Sequence, residues 1–400
     1  METRTYIPVD LPPSGSTVLV AMSGGVDSSL VAVLMAERGC RVIGATMKVY
    51  DASIEFPEGT GNGCYGKGEA EDEDACRRIC ASIGADYHVV DLAAPYAREI
   101  LGNFKSEYRA GRTPNPCLRC NPLMKFGLLP QALRERGVRY DYYATGHYVR
   151  TVVDALDPDG GTWLSPALDP KKDQSYFLQR LSQEALRSAR FPLGNRVKSE
   201  VRALARSRSL EVADKKDSQD FIAAEDYGPL FADEGVAEGD IVDEKGDTLG
   251  RHRGIIRYTI GQRRGLGVSL GPDPLFVVAL DADRNRVVVG REERLFSRSL
   301  TASDAAWAPG FGSEAFRALV KIRLASKPAP ALVIPLGEGR VRVDFDDGQR
   351  AVAPGQSAAF YAEARIRGDD DSPAPADGRT TRGTILAGGA VIEAGARAMA

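Results

Sequence analysis

The 400-residue sequence has no uninterrupted apolar run of about 18 residues, so no segment is expected to span a membrane. Its opening stretch carries Pro8, Pro12, Pro13 and acidic residues instead of a basic region followed by an apolar one. Residues 1–15 are therefore expected to form a short tail, not a secretory signal. Positive charge is not in excess: 52 Lys and Arg stand against 55 Asp and Glu, a formal net charge of −3. A protein that gripped phosphates everywhere would be strongly basic. Any nucleic-acid contact must therefore be a local basic surface on a near-neutral body. Cysteine is sparse, with six in the chain. Without an export signal they are expected to be thiols in a reducing cytoplasm, each free to act as ligand, nucleophile or small buried hydrophobe. No internal repeat is visible.

What is present is an ordinary globular composition, 43% hydrophobic and 27% charged, long enough for two or three domains. From Ser16 to about Arg150, short β-rich runs alternate with helical ones. Thr17–Met22 is an apolar run fit for a central parallel strand. Ser28–Arg38 follows at helical spacing and stops at Gly39. Further strands are expected over Arg41–Tyr50, Tyr87–Leu92 and Tyr140–Thr145. Helices are expected over Glu69–Ile83, Pro95–Tyr108 and Pro122–Arg136. This alternation predicts a parallel sheet flanked by helices, with ligands beyond the carboxyl ends of its strands. After Asp214 the chain becomes dense in turns and short β-rich runs, which predicts a small barrel at the C-terminal end. The domains expected are a tail over 1–15, an α/β domain over 16–213, a small central α+β domain over 214–280 and a β-barrel over 281–400. Residues 368–383, rich in Asp, Pro, Arg and Gly, read as a disordered insertion between the last strands.

Two motifs carry chemistry. Ser23-Gly24-Gly25-Val26-Asp27-Ser28-Ser29 joins the first strand to the first helix. Its glycines let the backbone approach an anion, and the helix offers unpaired N–H groups to it. The Gly-Lys-Ser/Thr ending of a Walker loop is missing. The second motif is Arg112-Thr-Pro-Asn-Pro-Cys117-Leu-Arg-Cys120-Asn121, followed by Lys125-Phe126. Two prolines stiffen the loop, and Cys117 and Cys120 are spaced to face one site. Cys120 is expected near a helix N-terminus, where a thiolate is stabilised. No second Cys-x-x-Cys pair follows, which argues against a closed four-cysteine zinc site.

The first motif resembles the pyrophosphate-binding loop of the PP-loop ATP pyrophosphatases, which cleave ATP between its α and β phosphates. Taken with Ala144-Thr-Gly-His147-Tyr, Lys172-Asp-Gln-Ser-Tyr-Phe-Leu, Phe191-Pro-Leu-Gly, Asp217-Ser-Gln, Gly250-Arg-His, Arg257-Tyr-Thr-Ile-Gly-Gln and Pro354-Gly-Gln-Ser, the chain resembles the tRNA-specific 2-thiouridylase family over most of its length. The resemblance implies an α/β PP-loop parallel sheet, a small central α+β domain and a C-terminal β-barrel. It implies ATP and Mg²⁺ as cofactors and tRNA as partner, with a sulfur donor such as a cysteine desulfurase or relay protein. It implies that Ala21, Met22, Ser23, Gly24, Gly25, Val26, Asp27, Ser28, Met47 and Gly146 hold ATP. Asn115, Pro116 and Cys117 match contacts to the target base, and Cys120 matches the nucleophile. His147, Lys172, Asp173, Gln174 and Gln356 match tRNA contacts. Lys105, Arg109, Arg112, Arg119, Arg257, Arg263 and Arg264 are further candidates for phosphate contacts.

The sequence departs from the family pattern where the cysteine that carries the persulfide is expected. Here the string reads Lys215-Lys-Asp-Ser-Gln-Asp-Phe221-Ile-Ala-Ala, and no cysteine follows Cys120. Two mechanisms stay open. Cys117 and Cys120 act as a local persulfide pair, or they join Cys64 in holding a [4Fe-4S] cluster through three thiolates. The cluster is preferred, with Cys64 as third ligand because its glycine-rich loop permits close approach. Cys76 and Cys80, one helical turn apart, are assigned to core packing, and Cys40 is taken as inert. Asp27 is read as either a metal-orienting group or a helix cap. The rival functions are a PP-loop enzyme that sulfurates a small molecule and a non-catalytic tRNA-binding paralogue.

Overall fold

The computed structural model describes residues 4–56, 63–217, 221–222, 227–232, 235–367 and 380–397. They divide into two compact units, Met1–Ala97 with Cys117–Ala223 and Tyr361–Ala387, and Arg98–Pro116 with Ala224–Phe360 and Gly388–Ala400.

The first unit is built on a five-stranded parallel sheet. Its strand order is Asp86–Asp91, Arg41–Lys48, Thr17–Ala21, Tyr142–Thr145 and Ala189–Arg190. The central strand has Val18, Leu19 and Val20 fully buried, as a strand covered on both faces requires. Helix Val26–Glu37 returns along the sheet and buries Leu30, Val31, Ala32 and Met35. Helix Glu69–Ser82 packs closely enough that a Cβ on Gly44 would lie 2.4 Å from the Cys80 sulfur. Only glycine at 44 allows that approach. Cys76 and Cys80 are both buried in this core, as their apolar spacing suggests.

The expected tail over 1–15 is not one. Thr5–Pro8 is a strand, antiparallel to Val149–Asp154 and parallel to Arg365 and Ile366. Tyr6 anchors it, buried edge-on against Trp163 at 5.2 Å. Proline stands at the strand's last residue, where no ladder donor is needed.

The second unit contains a four-stranded sheet in the order Thr248–His252, Gly239–Val242, Arg286–Gly290 and Phe276–Asp281. The expected boundary at residue 280 falls inside the hairpin Phe276–Asp281/Arg286–Gly290, so this sheet extends to Gly290. Beyond it six strands close a barrel: Phe316–Lys321, Ala329–Gly337, Arg340–Arg350, Phe296–Trp307, Thr380–Arg397 and Ser357–Arg367, the last pairing back to the first. Val341, Val343 and Phe345 alternate inward with exposed neighbours, the period-2 pattern of a filled small barrel. Of the expected insertion, 368–379 lie outside the described residues, and 380–383 are the opening of strand Thr380–Arg397. Among the described residues no helix is long and apolar enough to cross a membrane.

Candidate functional site: a nucleotide loop and a thiol helix

The residues from Met22 to Ser28 follow the carboxyl end of the central strand and run into helix Val26–Glu37. Gly25 caps that helix with extended backbone and no side-chain hydrogen bond, which leaves the first-turn amides facing outward. Ser28 shapes the turn. Its hydroxyl accepts from the Ser23 amide at 3.1 Å and donates to the Gly25 carbonyl at 3.4 Å. Gly24 has φ +67°, and a Cβ there would sit 2.5 Å from that of Asp72. Lys215 clamps this turn from outside, with Nζ donating to the Gly24 carbonyl at 3.2 Å and to Asp72. Met47 and Gly146 lie at the ends of the two neighbouring strands. Gly146 packs so tightly that a Cβ would be 2.8 Å from the Ser28 amide nitrogen. The predicted ATP residues thus gather at the carboxyl ends of three adjacent strands, the ligand position of an open parallel sheet.

Asp27 is neither the helix cap nor a free metal ligand. Both its carboxylate oxygens lie 2.7 Å from Lys198 Nζ, and the Tyr148 hydroxyl donates to one of them at 2.8 Å. Lys198 also reaches Asp217 at 2.8 Å, which in turn pairs with Lys172 at 2.7 Å and Arg202 at 2.9 Å. Burial would raise the Asp217 carboxyl, but the hydrogen bonds from Lys172 and Lys198 outweigh it and hold it below the usual carboxylate range. Sequence reasoning missed Lys198, Lys215 and Arg202. Lys198 and Arg202 stand in a polar stretch with no motif around them, Lys215 opens the quoted Lys215-Lys-Asp-Ser-Gln string without a role given to it there, and Lys198 is 171 positions from its partner.

The cysteine motif forms a helix where a stiff loop is expected. Pro116–Cys120 is helical and runs into a π-helical turn over Asn121–Leu128, then helix Leu129–Glu135. Proline suits the first position because its missing N–H has no helical partner there. Cys117 therefore occupies the first turn, partly exposed, while Cys120 ends the turn and is buried. The expected thiolate stabilisation at Cys120 does not hold. Burial pushes its thiol up to about 11, the Lys125 ammonium opposes this, and the Cys64 charge adds to it. The widened π turn brings Lys125, five residues on, toward the thiols, while Met124 is fully buried in the core. Gly127 accommodates the turn, since a Cβ there would lie 2.8 Å from the Pro122 carbonyl oxygen. Lys125 is half-buried, and its desolvation by itself would lower it. The charges of Cys64, Cys120 and Cys117 reverse this and raise it.

Cys64, Cys117 and Cys120 therefore share one cation, but they do not form a ligand set. Among the described residues no three or more His, Cys, Asp or Glu are grouped to hold a metal ion. Cys64 is exposed on its loop, whereas Cys120 is buried at the end of its helical turn. The three thiols of the preferred cluster are thus not gathered into one donor set among the described residues, while Cys117 and Cys120 are neighbours on one helix.

His147 is held by Thr145, whose Oγ1 lies 2.8 Å from Nδ1, and it packs against Phe126 and Phe191. Burial, then the Lys125 charge, pulls it down to about 3, so the imidazole is neutral at physiological pH. Asp173 accepts from the Ala167 and Ser175 amides, and Gln174 Oε1 accepts from the Tyr148 amide at 2.9 Å. These side chains brace the strand ends beside the nucleotide loop. In the second unit Gln356 Nε2 donates to the Thr113 carbonyl at 2.8 Å and the Thr113 amide donates to Pro354, fixing the segment that leads through Asn115 to Pro116. Arg112 is paired with Glu107 at 2.5 Å.

Residues 16–224 match the family described as tRNA methyl transferase HUP domain, 232–291 the tRNA methyl transferase PRC-barrel domain, and 297–369 the aminomethyltransferase beta-barrel domain. The chain is 44% identical over 357 residues to the tRNA-specific 2-thiouridylase MnmA of Pelobacter propionicus, covering 88% of this chain and 96% of that protein. It is 43% identical over 358 residues to the protein of that name from Geobacter metallireducens, covering 88% and 95%. For Acetivibrio thermocellus the identity is 41% over 358 residues, covering 87% and 96%.

Proposed function

Because the chain belongs to the tRNA-specific 2-thiouridylase family, we propose that it is a tRNA 2-thiouridine synthase whose sulfur passes through the Cys117/Cys120 pair. The family makes it an ATP-binding enzyme. Two of the family descriptions speak of methyl transfer, but an open amide loop and a Cys-x-x-Cys helix in one compact unit suit nucleotide-activated sulfur transfer. That pairing is the observation that carries the reading.

Oxide is a poor leaving group from the C2 carbon of uracil. Adenylation of the C2 oxygen turns the departing group into AMP, and the amides of Gly25 to Ser28 cradle the diphosphate released from ATP. Mg²⁺ arriving on the triphosphate would neutralise that diphosphate. Asp27 does not fit as its ligand, being occupied on both oxygens by Lys198.

An external donor leaves a persulfide on the more exposed Cys117. Its terminal sulfur forms the C2–S bond as AMP departs, giving a disulfide between the base and Cys117. The Cys120 thiolate attacks the Cys117 sulfur, the base leaves with the electron pair as 2-thiouridine, and a Cys117–Cys120 disulfide remains for an external thiol reductant. Lys125 is the cation that favours both thiolates against the burial around them. The base must leave its stack to reach this site. The enzyme works where tRNA and ATP meet, in the cytoplasm.

The test is incubation of purified protein with ATP, a cysteine-derived persulfide donor and an unmodified transcript, followed by nucleoside analysis. We expect 2-thiouridine with AMP and diphosphate. Sulfuration of a small molecule alone, or tRNA binding without turnover, would select one of the two rival functions.

A further inference from the structure

We propose that Lys198 is the positioning residue of the nucleotide loop, its ammonium cancelling the Asp27 charge so that a polyphosphate can enter a loop that carries a carboxylate. The inference rests on the reading of residues 23–28 as the ATP loop.

A carboxylate beside a phosphate site is a liability. Asp27 stands in the first turn of its helix, where a negative charge suits the helix dipole but opposes an incoming anion. Left unpaired, it would repel the triphosphate at a distance where screening is weak. Lys198 removes that opposition from a buried position, 9% exposed, with its ammonium 2.7 Å from both Asp27 oxygens and 5.6 Å from the centre of the Tyr148 ring. The same ammonium meets Asp217 at 2.8 Å, and Asp217 carries Lys172 and Arg202. Lys198, Lys172 and Arg202 stand against Asp27, Asp217 and Asp169, whose Oδ2 accepts from the Lys198 amide at 3.1 Å, so every carboxylate beside the loop is matched by a cation. Tyr148 fixes the carboxylate from the other side, and Gly146 backs onto Asp27 and Ser28 with no room for a Cβ. Asp27 therefore cannot swing away from the phosphates, and its charge must be met where it stands.

A lysine that only tied helix Lys198–Ser207 to the loop would act differently from one that cancels Asp27. ATP affinity, measured by calorimetry in EDTA without tRNA, separates the two. We expect K198M to weaken binding by about tenfold or more and K198R to stay within about threefold of wild type. D27N/K198M is expected to recover most of the loss, since it removes the carboxylate that Lys198 neutralises. A double variant that binds no tighter than K198M overturns the proposal. Should K198M fail to fold, D27N alone decides: metal-free ATP bound at least as tightly as by wild type supports the proposal, and clearly weaker binding overturns it. Wild-type protein that binds no ATP would instead refute the loop assignment itself.

Discussion

The backbone amide of Gly24 donates to the sulfur of Cys76 at 3.1 Å. A thiol buried in the core of the first unit thus holds the underside of the loop that leads into the open first turn of helix Val26–Glu37. Cys76→Ala removes that acceptor and leaves a small void, a loss of roughly 1–2 kcal/mol that urea denaturation would detect. Because Cys76 takes no part in the sulfur path, the variant is expected to keep making 2-thiouridine below its melting temperature. C117A and C120A should make none.

Gly24→Ala tests the loop from the other side. The residue has positive φ, and its new Cβ would meet Asp72 at 2.5 Å. The strain cannot be relieved without moving the turn. We expect tRNA-dependent diphosphate release to fall at least about 100-fold, roughly 3 kcal/mol of lost transition-state stabilisation, with the circular dichroism spectrum unchanged. A variant as active as wild type would mean that the turn does not hold phosphate.

The sequence revealed this loop because glycine and serine between an apolar strand and a helical period have few other uses. It revealed the Cys-x-x-Cys pair for a similar reason, since spacing alone brings the two thiols together. What surrounds them was not legible. Lys198 reads as a surface residue opening a polar helix, and its partner Asp27 is 171 positions away. The π turn that carries Lys125 depends on packing at Gly127 and Met124, which helical periodicity does not encode. Strand Thr5–Pro8 was hidden by the prolines in and after it, because it is held between Val149–Asp154 on one side and residues as distant as Arg365 on the other. The barrel, by contrast, showed in its alternating strands.

Cys120 should titrate late. Burial holds its thiol near 11, above the ordinary value of 9.0. The folded state therefore favours the proton, a stabilisation fully present below the unfolded pKa and lost as pH rises through 11. Iodoacetamide labelling of Cys120 is expected to be slow at pH 8 and to accelerate toward pH 11. In K125M, without the opposing cation, the rise should move to still higher pH, and sulfur transfer at pH 8 should slow. Labelling with a midpoint near pH 8.5 in both proteins would contradict the placement of Lys125.

His147 should affect stability in the opposite direction. Its folded value of about 3 lies below the ordinary 6.5, so the unfolded chain takes up the proton first. Its contribution is present above pH 6.5 and is lost as pH falls toward 3, on the order of 2 kcal/mol between pH 7 and pH 5. Urea denaturation at these two pH values checks this. H147N should lack that part of the slope, and tRNA affinity should show no step from this residue over the same range. Equal slopes in the two proteins would contradict a neutral, half-buried imidazole.

The most direct test of the sulfur path is a single turnover of persulfide-loaded protein with ATP and unmodified transcript, quenched in acid and analysed by mass spectrometry of both tRNA and protein. We expect one 2-thiouridine per loaded chain, equal amounts of AMP and diphosphate, and a new disulfide between Cys117 and Cys120. Thiolated tRNA alongside two free thiols at Cys117 and Cys120, or ADP in place of AMP, would contradict this path.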